Sequence, residues 1–122
     1  MIVLSPTTMP PIFGHVYLTS VSRLAPPYGY AIVLGAHPGC DGATVCTQAT
    51  IAGGPGVRVP EHTRKLLFAG RTNYVQEFAC GAHCAGSFRT TFIANGATYV
   101  ISIKGGKVQD TATIERGLRV AR

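Results

Sequence analysis

Apolar and polar residues alternate most regularly between Ser87 and Lys104. Ser87 to Ala94 and Ala97 to Lys104 flank Asn95-Gly96, the signature of a two-residue type I′ hairpin turn, because both central residues must adopt positive φ. A two-residue loop sets the register. It places Ala94 opposite Ala97, Phe92 opposite Tyr99, Thr90 opposite Ile101 and Phe88 opposite Ile103. That face is mostly apolar. The other face carries Arg89, Thr91, Thr98, Ser102 and Lys104, with Ile93 and Val100 near the turn. Earlier in the chain, Gly14 to Ser22 and Thr47 to Ala52 read as strands. Tyr28 to Ala36 is continuously apolar and predicts a central strand buried on both faces. Val57 to Val59, Lys65 to Ala69 and Thr72 to Ala79 complete the strand candidates.

Two segments break the period of two. Residues 1–13 carry Pro6, Pro10 and Pro11 and predict an extended arm or edge segment, since proline offers no backbone donor. After Gly105-Gly106, Asp110 is the expected N-cap of a helix over 111–120, with Ile114, Leu118 and Ala121 on one side. Arg116, Arg119 and Arg122 would then favour the carboxyl end of its dipole. The expected fold is one α+β domain over residues 1–122: a twisted, mainly antiparallel sheet with one carboxyl-terminal helix packed on a face through Ile114 and Leu118. An all-β sandwich is the alternative.

Composition narrows this picture. The apolar fraction is 46% and the charged fraction 13%, too apolar for disorder and enough for one core. Fifteen glycines and eight prolines imply many turns. The net charge of +6 comes mainly from a shortage of acids, only Asp41, Glu61, Glu77, Asp110 and Glu115 being carboxylates. The basic residues are scattered. Arg58, Arg64, Lys65, Arg116 and Arg119 are the candidate contacts to an anionic polymer or a peripheral anionic surface. A dense basic run interleaved with aromatics is missing, so no specific nucleic-acid partner is expected. No stretch reaches the roughly 20 apolar residues of a membrane-spanning helix.

Four cysteines form two tight pairs, Cys40 with Cys46 and Cys80 with Cys84. Glycines at 39, 42, 81 and 86 give the turns that short disulfide loops need. Local bridges, Cys40–Cys46 and Cys80–Cys84, are expected. Cross-linking of the two loops, a zinc site drawing on His37 and His83, and free buried thiols remain the alternatives. The spacings match no common zinc pattern, and neither a metal nor a cofactor is expected. His37, Asp41 and His83 are the one cluster that could supply acid–base or metal-assisted hydrolysis, provided the cysteine loops lie side by side. Gly53-Gly54-Pro55-Gly56 lacks the Lys-Ser/Thr of a phosphate loop, and Ala85-Gly86-Ser87-Phe88 is not a nucleophile elbow. No catalytic residue is assigned.

From Tyr28 onward the chain resembles a group of exported bacterial proteins. These combine a cysteine loop with a Gly-rich turn, a Cys-Gly-Ala-x-Cys loop, an aromatic-x-x-Asn-Gly-x-x-Tyr hairpin and a terminal helix. Cys40 to Cys46, Cys80-Gly81-Ala82-His83-Cys84 and Phe92 to Tyr99 carry the resemblance, with Phe92 where such proteins often have tryptophan. The hairpin-helix end is similar to that of lipoprotein-type envelope domains of the DUF4367 kind. The resemblance implies export and a shared scaffold, and no particular activity. The amino terminus is not a signal peptide as it stands. The cysteines favour a periplasmic or extracellular chain whose export signal has been removed. The functional expectation is a non-catalytic binding or accessory protein with a protein or polymer ligand, its cysteine loops presenting the recognition surface. A small hydrolase using His37, Asp41 and His83 is the first alternative, and an anionic-polymer binder the second.

Overall fold

A computed structural model describes residues 2–40, 46–78 and 86–121. Seven strands form one antiparallel sheet: β2 (Tyr17–Arg23), β3 (Tyr30–Gly35), β4 (Thr47–Gly54), β5 (Arg64–Phe68), β6 (Arg71–Phe78), β7 (Ser87–Ala94) and β8 (Ala97–Lys104). Their order is β2-β3-β4-β8-β7-β6-β5. Two meanders, β2-β3-β4 and β5-β6-β7-β8, thus meet where β4 pairs with β8. A separate two-stranded ladder joins β1 (Leu4–Ser5) to β9 (Arg119–Val120). One helix, α1 (Val108–Arg116), packs against β7 and β8. The α+β expectation therefore holds.

The β7–β8 register is the one that the Asn-Gly turn dictates, with Phe92 opposite Tyr99 and Thr90 opposite Ile101. Asn95 and Gly96 both have positive φ, 53° and 72°. Alternation then puts Phe92, Tyr99, Ile101 and Ile103 on the helix side. There they join Tyr30, Ile32, Leu34 and Ile51 from β3 and β4, Ile114 from α1 and Leu4 from β1 in one core. The intervening residues face the other way. Ala31 and Val33 are only half-buried, so β3 is covered on one face and not on both. Its unbroken apolar run reflects small side chains on the less covered side. No strand forms at 57–59. That segment lies in the connection that carries the chain from the middle of the sheet to its far edge.

The helix differs from expectation at both ends. It starts at Val108, with Lys107 as N-cap and Asp110 one turn inside. The Asp110 carboxylate reaches back and accepts the Lys107 N–H at 2.7 Å, so it caps the helix from within the first turn. The helix stops at Arg116 because the amino-terminal arm captures the chain beyond it. The Thr7 N–H donates to the Gly117 carbonyl at 3.1 Å, and a Cβ on Gly117 would stand 3.0 Å from Thr8. Arg119 and Val120 then pair with Ser5 and Leu4. Arg119 thus lies beyond the helix, yet its Nη1 donates to the carbonyls of Arg116 and Leu118 at 3.0 and 2.8 Å and satisfies groups at the helix end. Leu118 packs on the core, whereas Ala121 is exposed.

The arm is clasped by a tyrosine. Leu4 N–H donates to Tyr30 Oη at 3.0 Å, and the Tyr30 hydroxyl donates to the Leu4 carbonyl, also at 3.0 Å. Burial pushes the phenol up to about 12, against a smaller opposing effect of its Leu4 backbone hydrogen bond, so it stays a neutral donor. At the other end of β3 the Cys40–Cys46 disulfide, with Cα atoms 5.7 Å apart, closes the β3–β4 connection. It contributes about 2 kcal/mol by the loop-entropy relation. Cys40 is buried over Gly35, where a Cβ would come within 2.6 Å of the Cys40 Cβ. The expected Cys80–Cys84 bridge lies outside the described residues.

Replacing Tyr30 by Phe keeps the ring and strands both Leu4 groups. A loss of about 1–3 kcal/mol in chemical denaturation is expected, the cost of unpaired buried polar groups. Faster amide exchange at Leu4 and Ala121 should accompany it. Unchanged stability with Leu4 still protected would contradict the clasp.

Candidate binding surface

Helix α1, the arm and the β1–β9 ladder cover one face of the seven-stranded sheet. The opposite face has no such layer among the described residues. Its strand side chains are small or hydroxylated in the middle (Ala31, Val33, Thr50, Ala52, Val100, Ser102) and larger toward β5, where Leu67 is 80% and Ile93 58% exposed. Lys65, Arg89 and Lys104 fall on this face by alternation. Of the described carboxylates, Glu77 pairs with Phe88 on the helix side, Asp110 and Glu115 belong to α1, and Glu61 precedes β5. The strands therefore give the open face cations and no carboxylate.

One region of this face is concave. Thr50, Ala52, Val100 and Ser102 form the floor of a hollow of about 160 Å³, with Arg89 on one side and Leu24 and Tyr28 on the other. The walls come from distant parts of the chain. Arg89 stands opposite Ser102 in the β7–β8 ladder, and Ser102 opposite Thr50 in the β8–β4 ladder, so the three make one polar row. The next row on the same face is Thr91, Val100, Ala52 and Ala31. Leu24 and Tyr28 belong to the β2–β3 turn, which is tied to β4 by the Gly29 N–H donating to the Gly53 carbonyl at 2.7 Å. Gly54 permits this close approach, since a Cβ there would meet the Pro27 carbonyl oxygen at 2.2 Å. Leu24 and Tyr28 also line a second, wider trough of about 500 Å³ together with Pro26, Pro27, Gly29, Pro55 and Gly56, so the two recesses share this wall.

Arg89 is exposed, and its guanidinium carbon sits 5.1 Å from the centre of the Phe78 ring. Lys65 lies 5.9 Å from the Tyr74 ring centre on the same face. Both cations lean on aromatic surface and keep donors for solvent or a ligand. The one ion pair among the described residues is elsewhere, between Arg71 and Glu115.

The five basic candidates from the sequence do not share a face. Arg64 and Lys65 are consecutive in β5 and point to opposite sides; Arg64 lines a recess with His62 and Glu77. Arg116 borders a recess between β5 and α1, Arg119 lies in β9, and Arg58 is exposed in the β4–β5 connection. His37 is exposed in the turn before Cys40, while Asp41, His83, Cys80 and Cys84 lie outside the described residues. Among the described residues no three His, Cys, Asp or Glu side chains are grouped to hold a metal ion. Arg89, Thr50 and Ser102 were not singled out by sequence as contacts. Their one signal is the alternation that puts Arg89 and Ser102 on the polar side of the hairpin.

A second polar cluster is sealed beneath the helix. Glu115 is 2% exposed, and neither carboxylate oxygen has a hydrogen-bond partner; Arg71 Nε lies 3.5 Å from Oε2. The Asn73 amide donates to the carbonyls of Phe68 and Arg71, both at 3.0 Å, leaving its buried Oδ1 unpaired. Nearby on the helix, Thr111 accepts the Thr90 hydroxyl at 2.9 Å. Burial raises the Glu115 carboxyl from its ordinary 4.5 to about 7, with the charge of Arg71 the main effect pulling the other way. This group is too enclosed to touch a ligand and acts on stability.

Comparison with known proteins adds no relative: no protein-family model, curated protein or solved structure matches the chain. The fold and site define an antiparallel-sheet α+β domain with one open, walled face.

Because the folded state holds the Glu115 proton more tightly than the unfolded chain, it binds more protons between these two values. Stability should therefore be highest below about pH 4.5 as far as this group contributes, and fall as pH rises through about 7. Glu115→Gln should flatten that part of the Tm-against-pH curve. A variant curve parallel to the parent across this window would refute the assignment.

Proposed function

We propose that the chain is an exported, non-catalytic binding protein that holds its ligand on the open sheet face. The observation that carries this reading is the hollow whose floor is β4 and β8 and whose walls are Arg89, Leu24 and Tyr28. It combines apolar surface with a few convergent polar groups, the usual make-up of a ligand site. The Cys40–Cys46 bridge supports export, since such bonds persist in oxidising compartments. Among the described residues no helix is long and apolar enough to cross a membrane. In this reading the recognition surface is the sheet rather than the first cysteine loop, whose bridge closes the end of the β3–β4 hairpin remote from the Pro26-Pro27 turn that walls the hollow; the second cysteine loop lies outside the described residues. Binding of an anionic polymer through Arg58, Arg64, Lys65, Arg116 and Arg119 loses support, because those residues form no single track.

Isotope-labelled protein titrated separately with dextran sulfate, a neutral oligosaccharide and dodecanoate checks the reading. At least one probe should shift the amide signals of Thr50, Ala52, Arg89, Val100 and Ser102 more than those of α1. Shifts confined to the helix side, or none with any probe, would overturn it. Cys40 and Cys46 should also resist alkylation in chain taken from its host under a rapid acid quench.

A further inference from the structure

The open face reads in rows. Arg89, Ser102 and Thr50 line up across three strands and supply a guanidinium followed by two hydroxyls. Two residues along each strand, about 7 Å away at the usual rise, the row becomes Val100, Ala52 and Ala31, with Thr91 at its end. Leu24 and Tyr28 stand beside this second row, and the trough of Pro26, Pro27 and Pro55 carries the apolar lining onward. Polarity thus falls in one direction: a charged end, a small apolar floor, then a proline-lined channel.

Resting on the open-face reading, we propose that the hollow and trough form one site for an amphiphilic carboxylate, a molecule with a single anionic head and a linear apolar tail. The head meets Arg89, whose planar fork matches a carboxylate with two parallel hydrogen bonds. Thr50 and Ser102 supply further hydroxyl donors. The tail lies over Val100 and Ala52 and crosses the shared wall of Leu24 and Tyr28 toward the prolines.

Charge selects this occupant over the others. Arg89 has no carboxylate partner among the described residues, and the strands put none on this face. A second copy of the face brings the same cations and no acid to meet them. A polyanion needs cations in a track, whereas this face has Arg89 in the polar row, Lys104 one row beyond it on β8, and then only Lys65 on edge strand β5, three strands from β8. The apolar floor residues Ala52 and Val100 suit a chain of methylenes rather than a sugar ring with hydroxyls on every edge.

The test is titration calorimetry with dodecanoate below its micelle concentration, set beside dodecyltrimethylammonium and acetate. Dodecanoate should bind, with the ammonium amphiphile weaker by about tenfold or more, the effect of about 1.4 kcal/mol from one charge-assisted contact, and acetate weaker by at least as much because it has no tail to bury. Arg89→Gln, an exposed change that leaves the core intact, should lower dodecanoate affinity about tenfold. Ala52→Phe, which fills the floor, should weaken both amphiphiles. Equal affinity for the two amphiphiles, or no effect of Arg89→Gln, overturns the proposal, as does binding to phosphatidylglycerol vesicles with none to free dodecanoate. If dextran sulfate or the oligosaccharide shifts the same amides while dodecanoate does not, the amphiphile is excluded and the open-face reading stands. If no probe shifts them, both fail.

Discussion

The pairing of β4 with β8 is the interaction on which the rest of the structure depends. It joins residues about fifty positions apart and turns two local meanders into one sheet. Closing so long a loop costs entropy before any contact rewards it, so the pairing must be held by burial. Ile51 opposite Ile101 and Ala49 opposite Ile103 supply that burial, with Tyr99 beside Gly53. All of these face α1 and the arm. The same ladder builds the polar row on the other face, because Thr50 and Ser102 are the residues between those apolar pairs. Core and binding surface are two sides of one register, and a slip by one residue would exchange them.

The two ends of the chain secure the covered face together. The arm reaches Tyr30 and Tyr99, then Gly117, and the segment after the helix returns to pair with it. Beneath this cover the sheet tolerates a carboxyl group, Glu115, whose desolvation is only partly offset by Arg71. Arg71 also stacks on Phe92, 4.6 Å from its ring centre, so one guanidinium bridges the polar cluster and the aromatic core. Replacing a buried pair of this kind by apolar groups is often neutral or stabilising, so its retention is weak evidence for stability as such.

Legibility from sequence tracked the range of the interaction. The β7–β8 register could be read because Asn95-Gly96 sets it within ten residues on either side. The Cys40–Cys46 bridge could be read because a short glycine-flanked loop leaves few other partners. The strand expected at 57–59 failed because Val-Arg-Val has strand composition but no neighbour within reach of that crossing connection. The helix end failed because nothing between Gly117 and Val120 announces an amino-terminal strand more than a hundred residues away. Glu115 reads as a solvated helix residue and becomes buried only because β6 brings Arg71 and Asn73 beneath it. Arg89 reads as one basic residue among eleven and stands out only once Ser102, Thr50 and the Pro26-Pro27 turn surround it.

By itself, then, the sequence determined the long strands of the sheet, where the tight turn falls, which hairpin face is apolar, and that one helix follows the last long strand. Those properties rest on φ preferences and on a period of two, which act between near neighbours. Tertiary structure decided the strand order, the limits of the helix, the burial of Glu115 and the walls of the hollow. Each of these requires groups distant along the chain to share one volume, and only the free energy of burying the whole apolar face selects which of them meet.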